Sequence, residues 1–159
     1  MSDESAFQHY LNRLQRFLKI RFRTEKEIRD YLKRKKAPEK AIEKIINQLK
    51  EEEIINDQQF IKWWVDQRND FKPKGSFALK QELLLKGIDK ELLDNFFAGR
   101  DENQEIELAL KAIKKKQKTL GFNKKGEHNQ KIINFLLRRG FSFEIAKKAF
   151  EIFQKKNKI

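Results

Sequence analysis

Leu79-Lys80-Gln81-Glu82-Leu83-Leu84-Leu85-Lys86-Gly87-Ile88-Asp89-Lys90-Glu91-Leu92 is the stretch that decides the fold of this chain. Leu79 and Leu83 stand four residues apart, so they share one face of a helix. Gly87 follows a basic residue, and glycine is the residue that most readily closes a helix in the left-handed conformation. Ile88 is apolar again, and Asp89 is a residue type that caps a new helix. The same frame recurs without gaps in Ile28, Leu32, Lys36-Ala37-Pro38 and Ala41, and in Ile132, Leu136, Gly140-Phe141-Ser142 and Ile145. The copies start 51 and 53 residues apart. A fixed period of about 50 residues with helix–turn–helix content means a tandem array of small helical units that bury little alone. The first copy departs at one place: Lys36 occupies the position of Gly87 and Gly140.

Helical spacing extends outward from these segments. Phe7, Tyr10, Leu11, Leu14, Phe17 and Leu18 form a first apolar stripe. Thr24 lies three residues before Glu27, a capping box, and so starts a second helix. Pro38 suits the first turn of a third, with Ala41, Ile42, Ile45, Ile46 and Leu49 behind it. Asn56 or Asp57 caps a fourth, and the stretch from Phe71 to Gly75 connects it to a fifth ending at Gly87. Asp89 caps a sixth that stops at Gly99. Ile106, Ala109, Leu110 and Ile113 line a seventh, and Ile132, Ile133, Leu136 and Leu137 an eighth closed by Gly140. Ser142 caps a ninth with Ile145, Ala146, Ala149, Phe150 and Phe153. The expectation is an all-α fold of three tandem three-helix repeats: residues 1–55, 56–100 and 101–159, the last strongly basic.

Composition narrows the chemistry. The 159 residues contain no cysteine, so disulfides, thiolate metal sites and thiol nucleophiles are excluded. His9 and His128 alone leave little for a zinc site. Six Gly and two Pro are too few for an all-β chain. Fourteen Phe and two Trp supply large buried areas to a thin core. No apolar run reaches the roughly 18 residues of a membrane span, and the acidic start is not a secretory signal. A soluble, cytoplasmic protein is expected. Residues 121–126 space two glycines as a phosphate loop does, but Glu127 follows where that loop needs Lys. No catalytic residues, metal or cofactor are expected.

Charge is segregated. Residues 1–110 carry 22 basic and 21 acidic side chains, whereas residues 111–159 carry 15 basic and 3 acidic. A field of one sign at one end faces a polyanion, unless it is only a solvated lysine face. Lys111, Lys114, Lys115, Lys116 and Lys118 follow one another along the seventh helix, Lys124 and Lys125 lie in the next loop, and Arg138 and Arg139 end the eighth helix. Such cations contact phosphates without reading bases, although Arg138 and Arg139 also complement a helix C-terminus. Trp63 and Trp64 suit base stacking, but core packing is the preferred reading of both.

Several motifs resemble the RecX regulatory family. Asn56-Asp57-Gln58-Gln59-Phe60-Ile61-Lys62-Trp63-Trp64-Val65-Asp66-Gln67-Arg68 is similar to the start of that family's second repeat, continued by Lys74-Gly75, Leu79, Glu82-Leu83 and Lys86-Gly87-Ile88-Asp89. Phe135-Leu136-Leu137-Arg138-Arg139-Gly140-Phe141-Ser142-Phe143-Glu144 resembles the third repeat. Residues Thr24 to Asp57 fit the first more loosely. The resemblance implies an elongated, curved array of three-helix units. It also implies binding to the RecA recombinase filament on single-stranded DNA, with suppression of ATP hydrolysis, filament growth and strand exchange. Arg68, Lys72 and Lys74, in the best-matching stretch, are then expected to be exposed and partner-facing, with Phe60, Trp64 and Leu83 in the core. A monomer is expected, because exposed lysine faces oppose self-association. The other readings are a general nucleic-acid-binding protein with no obligatory recombinase partner, and a helical scaffold for another protein.

Overall fold

The computed structural model describes residues 2–120 and 129–157. Among the described residues there are nine α-helices and no strand: α1 (Asp3–Ile20), α2 (Glu25–Arg34), α3 (Glu39–Glu51), α4 (Asp57–Phe71), α5 (Ser76–Leu85), α6 (Lys90–Ala98), α7 (Glu102–Leu120), α8 (Asn129–Arg138) and α9 (Phe143–Asn157). They form two compact units. One comprises Met1–Trp63 with Leu83–Lys90, the other Trp64–Glu82 with Glu91–Ile159, so the division passes through α4 and α5.

Local chemistry sets the helix starts. The Ser2 and Thr24 side chains each accept a backbone N–H of the first turn, from Ser5 and Glu27, both at 3.1 Å. Glu27 returns the contact by accepting from the Thr24 N–H, which completes the capping box. Asn56 accepts from the Gln59 N–H and Ser142 from the Ile145 N–H. Pro38 stands one place earlier than its sequence context suggests. It is the N-cap of α3 with extended backbone, and its carbonyl accepts from the Ile42 N–H.

The three copies of the deciding segment end their helices identically. Ala37, Ile88 and Phe141 donate their N–H to the carbonyls of Leu32, Leu83 and Leu136, at 3.0, 3.1 and 3.1 Å. Lys36, Gly87 and Gly140 donate to Lys33, Leu84 and Leu137. This pair of bonds is the Schellman closure, and it requires a left-handed residue at the middle position. Gly87 and Gly140 have φ of 87° and 89°, and Lys36 adopts φ 64° despite its Cβ. Leu32, Leu83 and Leu136 are fully buried behind the turns.

In the first unit, α1, α2 and α3 close on Phe7, Leu14, Ile28, Leu32, Ile42, Ile45, Ile46, Leu49 and Ile55. Thr24 is completely buried there, and its hydroxyl donates to the Lys86 carbonyl at 2.6 Å. In the second unit, α7, α8 and α9 share a core of Ala109, Ala112, Ile113, Ile132, Phe135, Leu136 and the apolar face of α9. The face of α8 is rotated from its expected position. Leu137 is 39% exposed, and Phe135 at 4% takes its place in the core. Gly75 lies against the α8 turn and donates its N–H to the Arg139 carbonyl at 2.8 Å.

Lys36→Gly removes the left-handed strain and should raise stability by about 0.5–1 kcal/mol. Gly140→Ala should do the opposite by more than about 1 kcal/mol, because its φ is 89° and a Cβ there would lie 2.3 Å from the Ala78 Cβ. Leu83→Ala should cost roughly 2–5 kcal/mol. Urea unfolding midpoints check all three, and a destabilised Lys36→Gly variant would contradict the turn assignment.

Candidate polyanion interface

Glu82 organises the cations of the second repeat. From α5 its carboxylate accepts the Trp64 indole N–H at 2.8 Å and the Arg68 Nε at 3.1 Å, and it is hydrogen-bonded by the Lys74 ammonium. The Arg68 guanidinium also lies 4.7 Å from the Trp64 ring centre, a cation–π contact. Burial pushes the Glu82 carboxyl up, but hydrogen bonds from Lys74 and Trp64 and the charges of Lys74 and Arg68 outweigh it and hold the carboxyl below its ordinary value. Arg68 and Lys74 are therefore half-buried and charge-compensated, not freely exposed as the motif suggested. Trp64 is half-buried as well, between core and surface, whereas Phe60 and Leu83 are fully buried. Lys72 is exposed.

The other basic residues divide into two groups. Lys72, Lys115, Lys116 and Arg139 line one cavity of about 190 Å³ together with Phe71, Pro73 and Ala112. The connector after α4, the middle of α7 and the end of α8 meet there. The Lys115 ammonium donates to the Asp70 carbonyl, and Arg139 reaches the Pro73 carbonyl at 3.5 Å. Arg139 and Lys116 lie over the Phe135 ring, at 4.8 and 5.6 Å from its centre. Burial alone lowers the Arg139 guanidinium below its ordinary value, and arginine stays charged regardless. Lys111, Lys114, Lys118 and Arg138 are exposed outside this cavity. Lys111 lines a separate cleft of about 520 Å³ between α4, α6 and α7. Lys124 and Lys125 lie outside the described residues. The arrangement concentrates positive charge around this cavity. Among the described residues no group of three or more His, Asp or Glu is placed to hold a metal ion, and no helix is long and apolar enough to cross a membrane.

Three family models match this chain in tandem. The first three-helix domain of RecX matches residues 11–49, the second residues 56–95 and the third residues 102–150. The chain belongs to the RecX family. A regulatory protein RecX from Bacillus pumilus is 35% identical over 85% of this chain and 51% of its own length. One from Listeria welshimeri is 33% identical over 87% of this chain and 52% of its own. The chain thus spans about half the length of the curated relatives it matches. The crystal structure of RecX from Lactobacillus salivarius superposes with a TM-score of 0.76 at 25% identity, covering 99% of this chain and 97% of that one. A second RecX crystal structure, 23% identical, has a TM-score of 0.77 and shares the fold. All-α tandem repeats are thus common to this chain and to RecX structures.

Within the RecX frame, two features escaped the sequence reading. In the sequence Glu82 stands only as part of the matching Glu82-Leu83 pair, with nothing to say which cations it takes. Arg100, just past the Gly99 stop, pairs with Glu105 at 3.2 Å, both side chains being nearly buried, and the Ser76 hydroxyl bonds to both. Burial lowers the Arg100 guanidinium, and the Glu105 charge only partly restores it. The one advance signal was a lone arginine at a repeat boundary facing an acidic helix start.

Glu82→Gln should destabilise the protein by about 1–3 kcal/mol at neutral pH. The folded carboxyl is lowered, so its contribution is complete above the ordinary value of 4.5 and is lost as pH falls through the lower folded value. Unfolding measured between neutral pH and pH 3 should therefore show the parent and variant converging in acid. Parallel curves would contradict the assignment.

Proposed function

We propose that this chain is a non-enzymatic, cytoplasmic modulator of the RecA recombinase. It binds the recombinase filament on single-stranded DNA and lowers its ATPase, its extension and its strand exchange. Family membership supports the recombinase as partner. The observation that carries the polyanion side of the reading is the convergence of Lys72, Lys115, Lys116 and Arg139 on one cavity. Those residues come from three separate elements, so this is more than one solvated lysine stripe. Lys114 and Lys118 add charge on α7 nearby in sequence, and Lys111 and Arg138 extend it. The three repeats at 1–55, 56–100 and 101–159 act in this reading as successive docking modules of a monomer.

Positive charge serves such a partner physically. DNA inside a filament presents phosphates, and the surrounding protein surface presents carboxylates. Cations on a rigid helical surface are attracted to both, and binding to phosphate releases condensed counterions. Lys74 and Arg68 take part only by giving up Glu82, whereas Lys72 is accessible without any rearrangement.

Titration against a recombinase filament is the decisive measurement. The ATPase should fall at amounts well below one chain per nucleotide. A requirement to coat the strand would favour the plain nucleic-acid binder instead. Changing Lys114, Lys115 and Lys116 together to Gln keeps good helix formers in place. Full engagement of those three lysines would lower the slope of log affinity against log salt on single strands by about 2, at roughly 0.7 per phosphate. An unchanged slope and unchanged inhibition would remove this part of α7 from the interface.

A further inference from the structure

We infer that the cavity bounded by Phe71, Lys72, Lys115 and Arg139 seats one unpaired nucleotide, with Phe71 stacked on the base and the cations on its phosphates. This rests on the polyanion reading above and deepens it by naming the seat: one base of the unpaired strand on Phe71, which a duplex does not offer.

Phe71 is the last residue of α4 and is 75% exposed. A phenyl ring left in water gains nothing for the fold, so an exposed ring at a charged cavity invites a ligand explanation. Phe22, Phe77 and Phe143 are also exposed, and what lines the cavities beside two of them separates Phe71 from those two. The cavity beside Phe22 is lined by Glu53, and its Arg21 and Arg23 are engaged by Glu27 at 2.5 and 3.8 Å. The cavity beside Phe77 is lined by Glu105. Glu53 repels a phosphate beside Phe22; beside Phe77, Glu105 is already paired with Arg100 and no Lys or Arg among the described residues lines the wall. Among the described residues no acid lines the cavity beside Phe71, and Asp70, the preceding residue, offers its carbonyl to Lys115.

The cations there are also held in place. Lys115 donates to the Asp70 carbonyl, and Arg139 lies over the Phe135 ring within 3.5 Å of the Pro73 carbonyl; none of these contacts neutralises the charge. An ordered cation loses less freedom on meeting a phosphate. Phosphates alone would fit an acidic peptide equally well, but the ring favours a nucleic acid, because every base offers a π face to an aromatic side chain. In a duplex those faces are already stacked.

Anisotropy with three labelled probes tests the seat: oligothymidylate, an abasic strand with the same number of phosphates, and duplex DNA. The parent should prefer oligothymidylate to both. Phe71→Ala should weaken oligothymidylate binding by about five- to 150-fold and leave the abasic strand unaffected, while Phe71→Tyr keeps the preference. Lys115→Gln should weaken both single strands alike. Phe71 is exposed, so the fold survives its replacement, as circular dichroism will verify. Equal oligothymidylate binding by parent and Phe71→Ala would overturn the proposal, as would an equal loss on the abasic strand or displacement by polyglutamate at matched charge. The probes contain no recombinase. Base-dependent binding without ATPase inhibition would sink only the recombinase reading, and inhibition without base-dependent binding would sink only this seat.

Discussion

Each repeat depends on one backbone constraint: a single residue in the left-handed region, two hydrogen bonds that close the helix end, and a fully buried leucine behind them. The two bonds satisfy carbonyls that would otherwise be orphaned in a packed interior. The left-handed residue turns the chain, and the next residue is apolar and returns to the interior. Ile88 and Phe141 do so at 3% exposure each. Everything that follows the turn inherits its direction from it. Lys36 shows how strong the constraint is, because its Cβ is tolerated in a conformation that glycine adopts freely in the other two copies.

That turn was legible because it is local. An apolar pair four apart, a breaker and a cap are all visible within fourteen residues, and each has a backbone cause. Superposing the copies placed Lys36 with Gly87 and Gly140, and φ values of 64°, 87° and 89° agree with that alignment residue by residue. The same locality made the Thr24 capping box readable. Phe135 and Leu137 were harder. Both fit a helical apolar face, and only the packing of α8 against α7 and α9 chooses between them. Pro38 lies one residue before the first turn its context suggests, because a first-turn site and an N-cap share the proline φ and differ in ψ.

The candidate site was less legible, for a reason rooted in electrostatics. Charge segregation marks a region from sequence, but it does not tell which cations are already compensated. Arg68 and Lys74 stand in the best-matching motif, yet Glu82 takes both. Glu82 lies 14 and 8 residues from them, and that pairing needs α5 to fold back beside α4. Arg100 and Glu105 repeat the lesson with a nearly buried pair whose hydroxyl partner, Ser76, is 24 and 29 residues away. Tertiary structure thus sorts the basic residues into those that hold the fold and those that face outward.

Under the proposed polyanion reading, this sorting decides which cations act. A cation held by a carboxylate must exchange one anion for another, and the gain in water is small. A cation held by a carbonyl keeps its full charge for an incoming phosphate and has already lost much of its rotamer freedom. Lys115 and Arg139 are of the second kind. They come from α7 and the end of α8, which share the apolar core beneath them, so that core sets the backbone positions that carry the two charges. Phe135 makes the link physical: its ring is buried in the core and lies 5.6 and 4.8 Å from the Lys116 and Arg139 cations. The packing that stabilises the third repeat is the same packing that fixes the positions of its charges.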